Sequence, residues 1–157
     1  MAGIKRIDHV AIAVRDADQA TRQFVSLLNA VPIRTELLRE KAGVVKVSYL
    51  QIGENVLSLV QSLEADGFIN QHIAKHGEGL HHMGLEVDDL KEFVADVESK
   101  GFKIPLRDEF TNRSEVVLRP KDAAGVVLQI VEWKGGCGVS LDDRIERIRN
   151  LHNQPEK

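Results

Sequence analysis

The run Asp8-His9-Val10-Ala11-Ile12-Ala13-Val14 is a short, nearly continuous apolar stretch of the kind that forms a buried strand. Arg15-Asp16-Ala17-Asp18 follows and offers aspartate caps for a helix, in which Ala20, Phe24, Leu27 and Leu28 recur at helical spacing until residues 29–32 end it. Two strand-like runs come next, residues 44–52 and 56–60, separated by the turn residues Gly53-Glu54-Asn55 as in a hairpin. Residues 66–77 carry a weaker helical pattern through Phe68, Ile69 and Ile73, closed by Gly77 and Gly79. Then the scheme begins again. His82-Met83-Gly84-Leu85-Glu86-Val87 mirrors His9-Val10-Ala11-Ile12-Ala13-Val14, Asp88-Asp89 stand where Asp16 and Asp18 stood, and Leu90, Phe93, Val94 and Val97 make a second amphipathic helix ending at Gly101. Residues 114–119 and 125–132 form a second hairpin-like pair joined through Pro120-Lys121-Asp122-Ala123-Ala124.

A half-chain repeat of β-α-β-β predicts an α+β fold with one module in residues 4–66, a linker helix in 67–80 and a second module in 81–134. Each module covers one sheet face with its helix and leaves the other over. Two such modules side by side predict a cup-shaped, partly open mixed sheet with helices on the convex side. Residues 135–157 form a Gly-rich segment and a capped helix starting at Ser140, with an apolar stripe of Leu141, Ile145, Ile148 and Leu151. One stripe of that kind fits packing on its own domain better than packing on a partner subunit, though it suits either.

Strand alternation assigns the candidate chemistry. His9 shares a face with Ala11 and Ala13, and His82 with Gly84 and Glu86, while Val10, Ile12 and Val14 turn towards the helix layer. Repeat registration makes Ser58 and Gln129 counterparts on the last strands, and the same reasoning points Lys46 and Ser48 inward from the first hairpin, with Glu115, Val117 and Arg119 from the second. Two imidazoles converging with oxygen-bearing side chains form a divalent-metal arrangement as readily as two separate structural histidines.

Composition narrows the partners. In 157 residues, 21 Lys and Arg against 24 Asp and Glu give a net charge of only -3, without the basic footprint that draws a protein to nucleic acid or anionic lipid. Hydrophobic residues make up 43%, enough for a core, yet no apolar run approaches the ~18 residues of a membrane span. Met1 to Arg6 lack the features of a signal peptide, and the single cysteine, Cys137, suits a reducing cytoplasm and is a poor candidate nucleophile.

The repeated pattern, with His9-Val-Ala-Ile-Ala-Val, Gly77-Glu-Gly-Leu-His-His-Met, Glu86-Val-Asp-Asp-Leu and Pro120-Lys-Asp-Ala-Ala-Gly-Val-Val-Leu, resembles the vicinal oxygen chelate superfamily (the glyoxalase/bleomycin-resistance fold), and within it the methylmalonyl-CoA epimerases. That resemblance implies a divalent metal ion (Zn, Co, Ni, Mn or Fe) on His9, His82 and Gln129, with Ser58 at the remaining position. It also implies a CoA thioester or similar enolisable acid as substrate, an enolate stabilised by the metal, and a possible homodimer. The chain departs from the family where the chemistry lies. Ser58 stands where a Gln or Glu is usual, Gln129 replaces a glutamate that doubles as base, and Lys46 occupies the other base position in this registration. Lys46 is then the candidate catalytic group, with Ser58, Arg119 and Glu115 contacting substrate. The alternatives are a non-catalytic or metal-free protein holding an anionic small molecule in the same cup, and a glyoxalase-like lyase or dioxygenase.

Overall fold

The computed structural model describes residues 3–136 and 140–150, so Cys137 and Leu151 lie outside the described residues. The elements run β1 (Ile4–Ala13), α1 (Ala17–Leu28), β2 (Val31–Glu40), β3 (Gly43–Ile52), β4 (Asn55–Ser62), α2 (Phe68–His76), β5 (Gly79–Val87), α3 (Leu90–Ser99), β6 (Leu106–Glu109), β7 (Arg113–Leu118), β8 (Val127–Trp133) and α4 (Leu141–Arg149). The α+β repeat is as expected, and each module carries in addition an outer strand, β2 or β6. Those strands are interrupted by charged residues, Arg34, Glu36 and Arg39 in β2 and Arg107 and Glu109 in β6, of which Arg39, Arg107 and Glu109 are exposed. Their pattern lacks the apolar signal of a central strand. No described helix is long and apolar enough to cross a membrane.

The chain divides into two compact units that do not follow the sequence boundaries. An N-terminal unit holds residues 9–81 and 140–150, and a C-terminal unit holds 3–8 and 82–136, so β1 and β5 each change unit partway along. In the N-terminal unit the strand order is β2-β3-β4-β1, with β4 parallel to β1 and antiparallel to β3. In the C-terminal unit it is β5-β8-β7-β6, with β8 parallel to β5 and antiparallel to β7.

Local signals start the helices as the sequence suggests. Asp16 Oδ1 accepts hydrogen bonds from the amides of Asp18 and Gln19 at the head of α1, and the Gln19 amide above all holds its carboxyl below the usual carboxylate range. Asn29 closes α1 in the left-handed region. Asp89 caps α3, and Ser140 with Asp143 forms a capping box on α4. The core of the N-terminal unit joins Ala17 and Ala20 of α1 to Leu50, Leu57 and Leu59, with Val10, Ile12 and Phe24 packed alongside. Leu27 and Leu28 were expected on that apolar face, but both are exposed, because α1 seats its small Ala17 and Ala20 against the strands. The core of the C-terminal unit packs Leu90, Phe93 and Val94 of α3 on Leu85, Val87, Val116, Leu128 and Ile130.

The tail helix packs on its own chain: α4 lies against β2, with Ile145 and Ile148 buried and Arg34 Nη1 donating to the Arg149 carbonyl at 2.6 Å. A close approach fixes the entry to α2. A Cβ added at Gly67 falls 2.5 Å from Ser62 Cβ and 2.6 Å from Ser62 Oγ, the oxygen that accepts the Ile69 amide. Gly67→Ala is expected to cost roughly 1–3 kcal/mol in urea unfolding, through displacement of that tightly packed serine. Ser62→Ala removes only the hydrogen bond and is expected to cost about 1 kcal/mol. A Gly67→Ala variant as stable as wild type contradicts the packing described.

Candidate functional site

Residues paired side by side across a ladder share a face, so register locates each candidate side chain. In the N-terminal unit Ala11 pairs with Ser58, Ser58 with Tyr49, and Tyr49 with Arg34. The next row on that face joins Ala13, Val60, Val47 and Glu36. With His9 two residues before Ala11, one face of the unit therefore carries His9, Ser58, Tyr49, Arg34 and Glu36. The opposite face carries Val10, Ile12, Leu50, Leu57 and Leu59 under α1.

Lys46 and Ser48 belong to that opposite face, which corrects the inward orientation expected of them. Lys46 pairs with Gln61 and Leu37, Ser48 pairs with Leu59, and both stand in the rows covered by the helix. Lys46 Nζ meets Asp18 Oδ2 of α1 at 2.6 Å, and Gln61 Oε1 accepts the Ala17 amide at 2.9 Å. The physical reason lies in β3 itself. Val44, Val45, Val47, Tyr49 and Leu50 make both faces of the strand apolar, so alternation does not mark which side is inward and only the pairing with β4 does.

The C-terminal unit repeats the arrangement. Gly84, two residues after His82, pairs with Gln129, and Gln129 with Val117; Glu86 pairs with Val131, and Val131 with Glu115. His82, Glu86, Gln129, Glu115 and Val117 thus share one face, as expected, whereas Arg119 lies just beyond the end of β7. Ser58 and Gln129 are equivalent in the strict sense that each lies on the parallel neighbour strand beside the residue two after the histidine.

Ion pairing separates these groups. Ser58 Oγ and Gln129 Oε1 are both buried and have no hydrogen-bond partner among the described residues. The carboxylates are engaged: Arg6 Nε lies 3.0 Å from Glu86 Oε2, and Arg113 Nε 2.8 Å from Glu115 Oε2. Arg119 is tied to Asp122 Oδ2 through Nε at 2.9 Å and Nη2 at 2.8 Å. In the N-terminal unit Tyr49 Oη donates to Glu36 Oε1 at 3.0 Å, and Arg34 Nε stands 3.4 Å from Glu36 Oε2. Among the described residues no three His, Cys, Asp or Glu side chains are grouped so as to hold a metal ion.

Glu36 and Tyr49 were missed in the sequence because β2 was missed. Once β2 is recognised as a strand, Arg34, Glu36 and Leu38 fall on one face by simple alternation, and the only tyrosine of the chain stands opposite them. His81 points away from His82, into the α2 side, where its ring packs edge-on against His72 at 4.7 Å between centroids and lies 5.9 Å from Phe68. Burial, and then His72, lowers its pKa to about 4.

Comparison with known proteins adds the relatives. Residues 8–115 match the family described as the Glyoxalase/Bleomycin resistance protein/Dioxygenase superfamily. The mitochondrial methylmalonyl-CoA epimerase of Mus musculus is 29% identical over 130 residues, covering 80% of this chain and 71% of the mouse protein. The uncharacterized protein YqjC of Bacillus subtilis (strain 168) is 26% identical over 137 residues, covering 84% of this chain and 95% of YqjC. Among solved structures, a variant methylmalonyl-CoA epimerase of Streptomyces coelicolor in complex with 2-nitronate-propionyl-CoA superposes with a TM-score of 0.75 at 26% identity, over 83% of this chain and 98% of that one.

Proposed function

Because the chain belongs to the Glyoxalase/Bleomycin resistance protein/Dioxygenase superfamily, we propose that it is an epimerase-type isomerase that enolises a CoA thioester. The relatives that carry a named activity are methylmalonyl-CoA epimerases, and a structural neighbour is in complex with 2-nitronate-propionyl-CoA. One observation carries the reading: two buried side-chain oxygens without partners, Ser58 Oγ and Gln129 Oε1, at equivalent places beside the two histidine strands. Leaving such an atom unpaired costs about 1–3 kcal/mol, a cost that a bound ligand offsets.

In this reading His9 with Ser58 in one unit, and His82 with Gln129 in the other, are the candidate donors to a divalent metal, which would supply positive charge to the thioester oxygen as the α-proton leaves. All four donors are neutral. Nothing in the set compensates a dication, so affinity is expected to fall below that of a site with a carboxylate ligand. Neutral imidazole would be the ligating form of His9 and His82. Lys46, held to Asp18 on the far face, takes no part.

Two measurements test the proposal. Purified protein is expected to carry a divalent metal near one equivalent, lost in both His9→Ala and His82→Ala, and to exchange solvent deuterium into the α-position of methylmalonyl-CoA. A second reading, capture of an anionic small molecule without chemistry, draws on Glu86 and Glu115 being neutralised by Arg6 and Arg113. Absence of exchange with every divalent ion supplied, together with retained binding of the thioester, establishes that reading and ends the first.

A further inference from the structure

We propose that Glu36, together with Tyr49, is the proton-transfer group of the N-terminal unit. The inference rests on the enolising reading and deepens it by naming a base where the expected positions hold none. Register puts both residues on the face that carries His9 and Ser58: Tyr49 is the direct neighbour of Ser58, and Glu36 lies in the next row beside Val47. The Glu36 side chain is only 8% exposed, and its two oxygens have different partners. Oε1 accepts the Tyr49 phenol at 3.0 Å, while Oε2 faces Arg34 Nε at 3.4 Å, an ion-pair distance longer than a good hydrogen bond. Arg34 is itself anchored to α4 through the Arg149 carbonyl. The carboxylate is thus held on a strand by a guanidinium on one side and linked on the other to a phenol that reaches the Ser58 row. A strand-borne carboxylate fixed in this way is a positioned base, whereas the lysine expected to serve lies on the other face.

The step balances without a further reactant. The α C–H bond of the thioester breaks, its electron pair moves into the carbonyl to give the enolate, and the proton passes to Tyr49 Oη as the phenol hands its own proton to Glu36 Oε1. Reversal returns a proton to carbon. Exchange of the Glu36 proton with water between the two events labels the α-carbon with deuterium.

A purely structural role for the trio, tying β2 to β3 and α4, is the competing explanation, and conservative variants separate the two. Glu36→Gln keeps the hydrogen-bond acceptor for Tyr49 and removes the base. It is expected to cut the deuterium-exchange rate constant by about 10²–10⁴-fold with little change in KM or melting temperature, while Glu36→Asp recovers part of the rate. Tyr49→Phe is expected to lower the rate by at least ~10-fold, and Lys46→Met to leave it unchanged. Wild-type exchange retained in Glu36→Gln overturns the assignment of the base alone. A loss confined to KM, or one that follows melting temperature and is not recovered by Glu36→Asp, also overturns it in favour of a positioning role. Absence of exchange in the wild-type protein overturns the enolising reading, and the assignment with it.

Discussion

Arg113→Ala is expected to lower the unfolding free energy by about 3–5 kcal/mol, because it leaves a buried carboxylate without its counter-charge. Arg113 and Glu115 are 5% and 3% exposed and meet at 2.8 Å. The guanidinium also stands 4.2 Å from the Phe110 ring centroid and 5.6 Å from that of Trp133, whose indole N–H donates to buried Asp8 at 3.0 Å. Register brings another buried carboxylate, Asp108, directly opposite Glu115. Loss of the cation therefore removes an ion pair and two ring contacts beside two buried acids. The double variant Arg113→Met with Glu115→Leu is expected to regain most of the loss, since replacing both ions by apolar groups leaves neither one uncompensated. Urea unfolding of the single and double variants measures both. A single variant within 1 kcal/mol of wild type, or a double variant no better than the single, contradicts this account of the pair.

Acid is expected to weaken the N-terminal unit through His81. Half-buried beside His72 and Phe68, its imidazole stays neutral in the folded chain down to about pH 4, whereas in the unfolded chain it takes up a proton near 6.5. Below 6.5 the unfolded state therefore binds more protons than the folded one, and stability declines as pH falls from 6.5 towards 4, levelling off beneath that. The full window corresponds to a loss of about 3 kcal/mol. His72, displaced in the same direction by burial and then by His76, adds to the slope. His81→Phe keeps a ring in the packing and removes the titration. Urea midpoints at several pH values between 7.5 and 4 are expected to fall more steeply for wild type than for this variant, and parallel curves refute the assignment.

Much of the architecture is legible before folding. The repeat announces itself in the two histidine strands, and the faces of β1 and β5 follow from residues alternating within a single strand. Helix starts are equally local, since a side-chain oxygen at Asp16 or Asp89 has only to reach amides two or three residues on. The equivalence of Ser58 and Gln129 comes from the same repeat and holds in the ladder registers. Lys46 shows where such reasoning stops. Its strand is apolar on both faces, and a slip of one residue inverts every side chain it carries.

The sequence alone determined the α+β repeat, the helix caps and the face on which each histidine lies, because each depends on neighbours a few residues apart. Tertiary structure decided the rest: the outer strands β2 and β6, the passage of Lys46 to the helix side, the pairing of Glu86 and Glu115 with arginines, and the meeting of Glu36 with Tyr49. Those outcomes depend on which strand hydrogen-bonds to which and in what register, a choice made by the burial of whole faces that no single segment encodes.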